Sequence, residues 1–190
     1  MKNLIAGVDE VGRGSLVGPV YAAAVIFKNN LDKKKLKDSK KLSKKNREML
    51  EKYIKKNSYW SIASASLKEI EKLNILNASL LAMKRAIIKL NKKPKQVLVD
   101  GNKVPKIKNY NLKFVIKGDE KIPEISAASI IAKVSRDRLI TKMSKKYIKY
   151  SWNKNAGYGT KDHLSAIKKF GITKHHRKTF KPIHNILSLK

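Results

Sequence analysis

The sequence predicts an α/β fold in one domain: a β-sheet flanked by helices, with a smaller helical and basic portion over about residues 150–190. Three observations predict it. Short apolar runs bounded by Gly, Asn or Pro alternate with longer segments whose apolar residues recur at helical spacing. Three of those runs stop at acids: Asp9-Glu10, Asp100 and Asp119. No repeat or shift in composition divides the 190 residues, and a chain of this length that is 42% hydrophobic can bury a core without disulfides or a structural metal.

The elements follow in order. Residues 4–8 form an apolar run ending at Asp9-Glu10, Gly12-Arg13-Gly14 supplies a turn, and residues 17–27 make the returning strand. Residues 28–45 are Lys-rich and read as a basic loop, with Ser43 as N-cap of a helix over about residues 44–56. Residues 59–65 suit a third strand, and Leu76, Leu80, Met83, Ile87 and Leu90 place a core helix over residues 75–90. Pro94 breaks that pattern before a buried-type strand at residues 96–99, which Asp100-Gly101-Asn102 closes with a turn. A strand over residues 112–116 stops at Lys117-Gly118-Asp119, and a long helix spans residue 126 to about residue 147. Thr160 caps a last helix that Gly171 closes, and a basic tail follows.

Composition limits the function classes. The 45 Lys and Arg against 14 Asp and Glu give a formal charge of +31, which calls for a polyanionic partner, nucleic acid first. A codon bias toward Lys and Asn would raise the same count, so the scarce acids are more informative than the abundant bases. Cysteine is absent, which removes disulfides, thiol nucleophiles and Cys-containing zinc sites, and fits a reducing cytoplasm. His163, His175, His176 and His184 lack a zinc-protease spacing. No apolar run is long enough to span a bilayer, and the start reaches Asp9 too soon for a signal-peptide core.

Strand-end acids from one sheet can converge. Carboxylates so gathered repel one another, and the arrangement makes sense when a cation neutralises them; oxygen-only ligation suits Mg²⁺ or Mn²⁺. Asp9 and Glu10, as neighbours, face one metal together only if the strand has ended or twisted by Glu10. Near Asp119, Glu120 and Glu124 offer the same chemistry by spacing alone. Metals held on such a cluster activate a water and stabilise the departing oxygen of a phosphodiester.

The string Asp9-Glu10-Val11-Gly12-Arg13-Gly14, with Gly18-Pro19, resembles the first signature of bacterial ribonuclease HII, the type 2 ribonuclease H. The resemblance continues in order through Asp38-Ser39-Lys40-Lys41-Leu42, Val99-Asp100-Gly101-Asn102, Lys117-Gly118-Asp119, residues 125–133 with Arg136-Asp137, Gly157-Tyr158-Gly159-Thr160 and His176-Arg177-Lys178-Thr179-Phe180. It covers nearly the whole chain. It implies a ribonuclease-H-like fold with a mixed β-sheet, and metal carboxylates at Asp9, Glu10, Asp100 and Asp119. It implies hydrolysis of RNA in RNA–DNA hybrids and cutting at ribonucleotides embedded in duplex DNA, leaving 3′-hydroxyl and 5′-phosphate ends, as in ribonucleotide excision repair. A monomer acting in the cytoplasm is expected, and Asp137 reads as a structural helix residue.

Such an enzyme must sense the 2′-OH, the group that separates the two sugars. Main-chain groups of Gly12, Arg13 and Gly14 can approach it closely, and the resemblance assigns them that role; an isolated Gly-x-Gly would by default be a tight turn. By the same resemblance Tyr158 stacks on the neighbouring sugar. Lys40 and Arg177 read as phosphate contacts through charge-assisted donors. The sequence departs from the family pattern at Ser15, where a proline is usual, and at Asn155-Ala156, where His-Lys is usual; the second departure is expected to loosen the loop that presents Tyr158. Two rivals remain at this level: a non-catalytic basic nucleic-acid-binding protein, and the type HIII enzyme, which the absence of a domain before Leu4 disfavours.

Overall fold

The structure, a computed structural model, describes residues 4–28, 31–32, 36 and 43–188. Its centre is a five-stranded sheet in the order β3-β2-β1-β4-β5. The strands are β1 (Ile5–Val11), β2 (Val20–Phe27), β3 (Ser58–Ala65), β4 (Gln96–Asp100) and β5 (Leu112–Val115). The first three pair antiparallel, whereas β1, β4 and β5 run parallel, so the sheet is mixed. Its helices are α1 (Lys44–Lys56), α2 (Leu67–Ile88), α3 (Gly118–Lys121), α4 (Pro123–Ser144), α5 (Trp152–Asn155), α6 (Lys161–Phe170) and α7 (Lys181–Ser188).

Period-2 alternation divides the core between the two faces of the sheet. Ala6 and Val8 of β1, Ala22 and Ala24 of β2, and Val97 and Val99 of β4 pack on Ala78, Ala82, Met83, Ala86 and Ile87 of α2. Ala23 and Val25 face the other way, against Ala127, Ile130, Ile131 and Val134 of α4 and Leu50 and Ile54 of α1. A third cluster joins Leu16, Val17 and Ile140 to Tyr150, Trp152, Ile167 and Ile183 of the C-terminal helices. Gly7 lets α4 lie directly on β1, because a Cβ there would overlap the backbone of Glu124 and Ile125.

Several boundaries differ from the sequence reading. The first strand does not stop before Asp9; β1 continues through Glu10 to Val11, held by β2. The returning strand starts at Val20 rather than at residue 17: Val17 instead bridges to His176, as Ser15 does to Tyr158. The core helix starts earlier, at Leu67, where Ser66 and Glu69 form a reciprocal capping box, and it breaks at Asn74 (φ 65°). Its buried stripe is built on alanines, with Leu76, Leu80 and Leu90 only half-buried. The long helix begins at Pro123, a residue well suited to a first turn, and ends at Ser144. The basic tail contains α7, whose Ile183 is buried. The Ser43 and Thr160 caps and the span of α1 stand as read from the sequence.

Candidate active site

Parallel pairing brings the first two acids together. Val8 of β1 is registered with Val99 of β4, so the next residues, Asp9 and Asp100, lie side by side and on one face of the sheet. That is the α4 face, as Gly7 on the same side of β1 shows by its contact with α4. Glu10 follows where β1 has outrun β4 and only β2 still pairs with it. Asp9 and Glu10 both interact electrostatically with Asp100.

Asp9 is 6% exposed. Burial, and then the charges of Glu10 and Asp100, push its pKa well above the usual carboxylate range, against hydrogen bonds from Ser129 of α4 and the Glu10 N–H. Glu10 is raised by burial and partly restored by Arg13, whose guanidinium lies 3.2 Å from its Oε1. Asp100 Oδ1 accepts hydrogen bonds from the main-chain N–H groups of Gly118 (2.7 Å) and Asp119 (3.4 Å), at the start of α3. Lys117 makes the turn possible with a left-handed backbone (φ 54°), and Asp119 is thereby anchored beside Asp100. Asp9, Glu10 and Asp100 share one end of the sheet with the Asp119 main chain beside them, although among the described residues no three acids are drawn into a ready cage for an ion. An all-oxygen set of mutually repelling carboxylates fits Mg²⁺ or Mn²⁺, and the raised Asp9 records first its burial and then the neighbouring charge, both of which a bound cation would offset.

The turn of Gly12, Arg13 and Gly14 leaves β1 immediately after these acids. It is stitched to the Tyr158 loop by a Ser15–Tyr158 bridge and a hydrogen bond from Leu16 N–H to Gly157 O (2.9 Å). Ser15 is central to this seam, its hydroxyl donating to Gly157 O (3.0 Å) and accepting from Arg136 Nη2 (2.6 Å). Arg136 also donates to Ala156 O (3.1 Å) and Val17 O (3.0 Å) and lies under the Tyr158 ring, 5.7 Å from its centroid. Asn155 tightens the same loop: its Oδ1 accepts from Gly157 N–H and its Nδ2 donates to Tyr150 O, both at 2.8 Å. Both departures from the family pattern therefore contribute bonds to this region. Tyr158 is half-buried, and Arg13 and Gly14 are exposed.

Arg177 lies elsewhere than expected. It has no exposed surface and donates to the carbonyls of Arg13 and Gly18, each at 2.9 Å. Lys40 falls outside the described residues. Asp137 pairs with Lys133 on α4 (2.8 Å). Sequence reasoning missed Ser129, Arg136 and the histidines as site supports. For Ser129 and Arg136 the available signal was polar residues embedded in the apolar stretch of α4.

His163 and His176 form a buried relay behind Tyr158. Trp152 Nε1 donates to His163 Nε2 (2.9 Å), so His163 carries its proton on Nδ1, which lies 2.8 Å from Tyr158 O. Thr173 N–H donates to His176 Nδ1 (2.8 Å), leaving His176 Nε2–H to face His163 Nε2 at 3.3 Å. Burial lowers both pKa values, and with the neighbouring His163 it takes His176 to about 4. A depressed His pKa gives stability that is present above the unfolded value, near 6.5, and lost as pH falls toward the folded value. The melting temperature should therefore fall between pH 6.5 and about 4, with a shallower slope in His176→Gln. Parallel pH–Tm curves for the two proteins would refute the relay's contribution.

Parallel strands ending in clustered carboxylates, within a mixed sheet covered by helices on both faces, define a nuclease of the ribonuclease H class. The family model described as Ribonuclease HII matches residues 6–183. The chain is 71% identical over 184 residues to Ribonuclease HII of Pelagibacter ubique (strain HTCC1062), covering 97% of this chain and 99% of that relative. Among solved structures it resembles the ribonuclease H2 from Pyrococcus horikoshii OT3 (TM-score 0.81, 27% identity, 98% of each chain). It shares its fold with Bst ribonuclease HIII in complex with Mn²⁺ (TM-score 0.76, 17% identity, 98% of this chain and 70% of that one). The chain belongs to the ribonuclease HII family and is an endoribonuclease of the ribonuclease H type. The reading as a non-catalytic binding protein is thereby set aside, and type HII is preferred over HIII.

Proposed function

We propose that this enzyme hydrolyses the RNA strand of RNA–DNA hybrids and cuts duplex DNA at embedded ribonucleotides, leaving 3′-hydroxyl and 5′-phosphate ends. The observation that carries the reading is the side-by-side placement of Asp9 and Asp100 on adjacent parallel strands, with the glycine turn and Tyr158 adjoining. Asp9, Glu10, Asp100 and Asp119 would hold Mg²⁺ or Mn²⁺. Two such ions, when bound, supply an activated water and stabilise the departing oxygen.

The chain's own residues do the rest. Ser129 and the Gly118 and Asp119 amides fix the directions of Asp9 and Asp100, and Arg13 restrains Glu10. Carboxylates engage a phosphodiester whether its sugar is ribose or deoxyribose, so selectivity falls to Gly12, Arg13, Gly14 and Tyr158. The exposed backbone of Arg13 and Gly14 and the half-buried Tyr158 ring would meet the 2′-OH and the adjoining sugar, with the buried Gly12 shaping the turn behind them. The excess of Lys and Arg draws in the polyanion, and Lys40 is read as one of its phosphate contacts. No helix among the described residues is long and apolar enough to cross a membrane. A monomer acting in the cytoplasm, in ribonucleotide excision repair, completes the reading.

The test is cleavage of duplex DNA carrying one ribonucleotide beside a continuous hybrid, with Mg²⁺, with Mn²⁺ and with excess EDTA. Cutting at the ribonucleotide that EDTA abolishes is expected; undiminished cutting in EDTA would refute the metal assignment. Tyr158→Ala should reduce cleavage of the single-ribonucleotide duplex more than of the hybrid, where several ribonucleotides offer alternative registers. Equal losses would make the ring a packing residue. Gly14→Ala should impair both substrates: its new methyl meets only Tyr158 Cε1 at 3.8 Å, so a loss would report on substrate rather than on folding.

A further inference from the structure

Two guanidinium groups lie wholly inside the protein beneath the glycine turn, Arg136 and Arg177, and among the described residues neither forms an ion pair. A buried unpaired cation is costly, and an apolar side chain would fill the volume without that cost. What Arg177 supplies instead is direction. Its Nε donates to Gly18 O and its Nη1 to Arg13 O, both at 2.9 Å, while its own N–H donates to Leu16 O at 2.8 Å. Nη2 is buried without a hydrogen-bond partner among the described residues. Burial and the neighbouring Arg136 push the group down to about 9, still protonated at neutral pH.

The consequence follows from peptide geometry. The C=O of Arg13 and the N–H of Gly14 belong to one planar trans peptide and point in opposite directions. With the carbonyl drawn inward by Arg177, the Gly14 N–H is turned outward, at an exposed residue with open surroundings. Among the described residues, no main-chain hydrogen bond uses it.

We infer that Arg177 is a positioning residue for ribonucleotide selection, holding the Arg13 carbonyl inward so that the Gly14 N–H is aimed at the sugar hydroxyl of the bound strand. The inference rests on reading Gly12, Arg13 and Gly14 as the ribonucleotide sensor. It replaces the expectation that Arg177 contacts a phosphate, since a side chain with no exposed surface does not reach one.

Arg177→Lys keeps the charge but offers one ammonium where the fork spans two carbonyls. On the single-ribonucleotide duplex, kcat should fall by about tenfold or more, the scale of a small misplacement of a positioned group. KM should change less than about twofold and the salt dependence of binding should not change, because phosphate contacts are untouched. The continuous hybrid should lose less. A raised KM with a shallower salt slope would make Arg177 a phosphate contact after all; equal losses on both substrates accompanying a lower Tm would make it a packing residue. Amide hydrogen exchange on the unsubstituted protein gives an independent reading should the variant fail to fold. Without divalent ions, Gly14 N–H should exchange freely in the unbound protein and become protected by the ribonucleotide duplex but not by its all-DNA counterpart. Protection already in the unbound protein would overturn the inference, whereas failure of the unsubstituted enzyme to cut any ribonucleotide substrate would overturn the functional reading beneath it.

Discussion

Asp9→Asn should lower kcat on the order of 10³-fold, equivalent to about 4 kcal/mol of barrier, while raising the thermal stability of the metal-free protein at neutral pH. The amide keeps the oxygen that accepts from Glu10 N–H (2.7 Å) and removes the charge that burial, Glu10 and Asp100 oppose. An acid with a raised folded pKa contributes stability that is present below its unfolded value and lost as pH rises through the folded one. At neutral pH the unsubstituted protein carries that penalty and the Asn variant does not. The stability difference should narrow as the pH is lowered. Mg²⁺ or Mn²⁺ should raise the Tm of the unsubstituted protein by mass action and raise that of the variant much less. Steady-state kinetics and calorimetry with and without the ion measure both halves. Retention of activity within about tenfold, or equal ion-induced stabilisation of both proteins, would remove Asp9 from the ligand set.

Gly7→Ala should be the most damaging methyl addition to the sheet. Gly7 sits in β1 paired with Val25 and Leu98, and its Cβ would overlap the carbonyl carbon of Glu124 and the amide nitrogen of Ile125. These are backbone atoms of α4, so relief requires moving the helix rather than turning a side chain. A loss exceeding ~3 kcal/mol is expected, at or beyond the upper range for overpacking a core. The damage should reach the site, because α4 carries Ser129 against Asp9 and begins just after Asp119. Denaturant unfolding checks the stability, and cleavage at low temperature checks the site. A variant with an unchanged unfolding midpoint would show that β1 and α4 tolerate a wider spacing.

The sequence by itself determined the α/β class, the strands that end near acids and the Ser43 and Thr160 caps, and it singled out the four carboxylates proposed as metal ligands. Each of these is local: hydrophobic period, turn chemistry and capping are written within a few residues of where they act. The ordered motifs likewise pointed to the family before any fold was known. Tertiary structure alone decided the rest. Asp9 stays within β1 because β2 continues to pair with it, and β2 lies beyond the turn. The Val8–Val99 register that sets Asp9 beside Asp100 joins strands about 90 residues apart. The buried face of α2 joins Ala78, Ala82 and Ala86 to Met83 and Ile87, whereas Leu76, Leu80 and Leu90 stay half-buried, a division set by how the helix lies on the sheet. Arg177 illustrates the limit most sharply. A basic residue in a basic tail reads as a phosphate contact, yet residues 12–18 fold back over it and convert it into an internal support. Burial and long-range pairing are properties of the assembled chain, and a local pattern carries no record of which distant backbone will cover a given side chain.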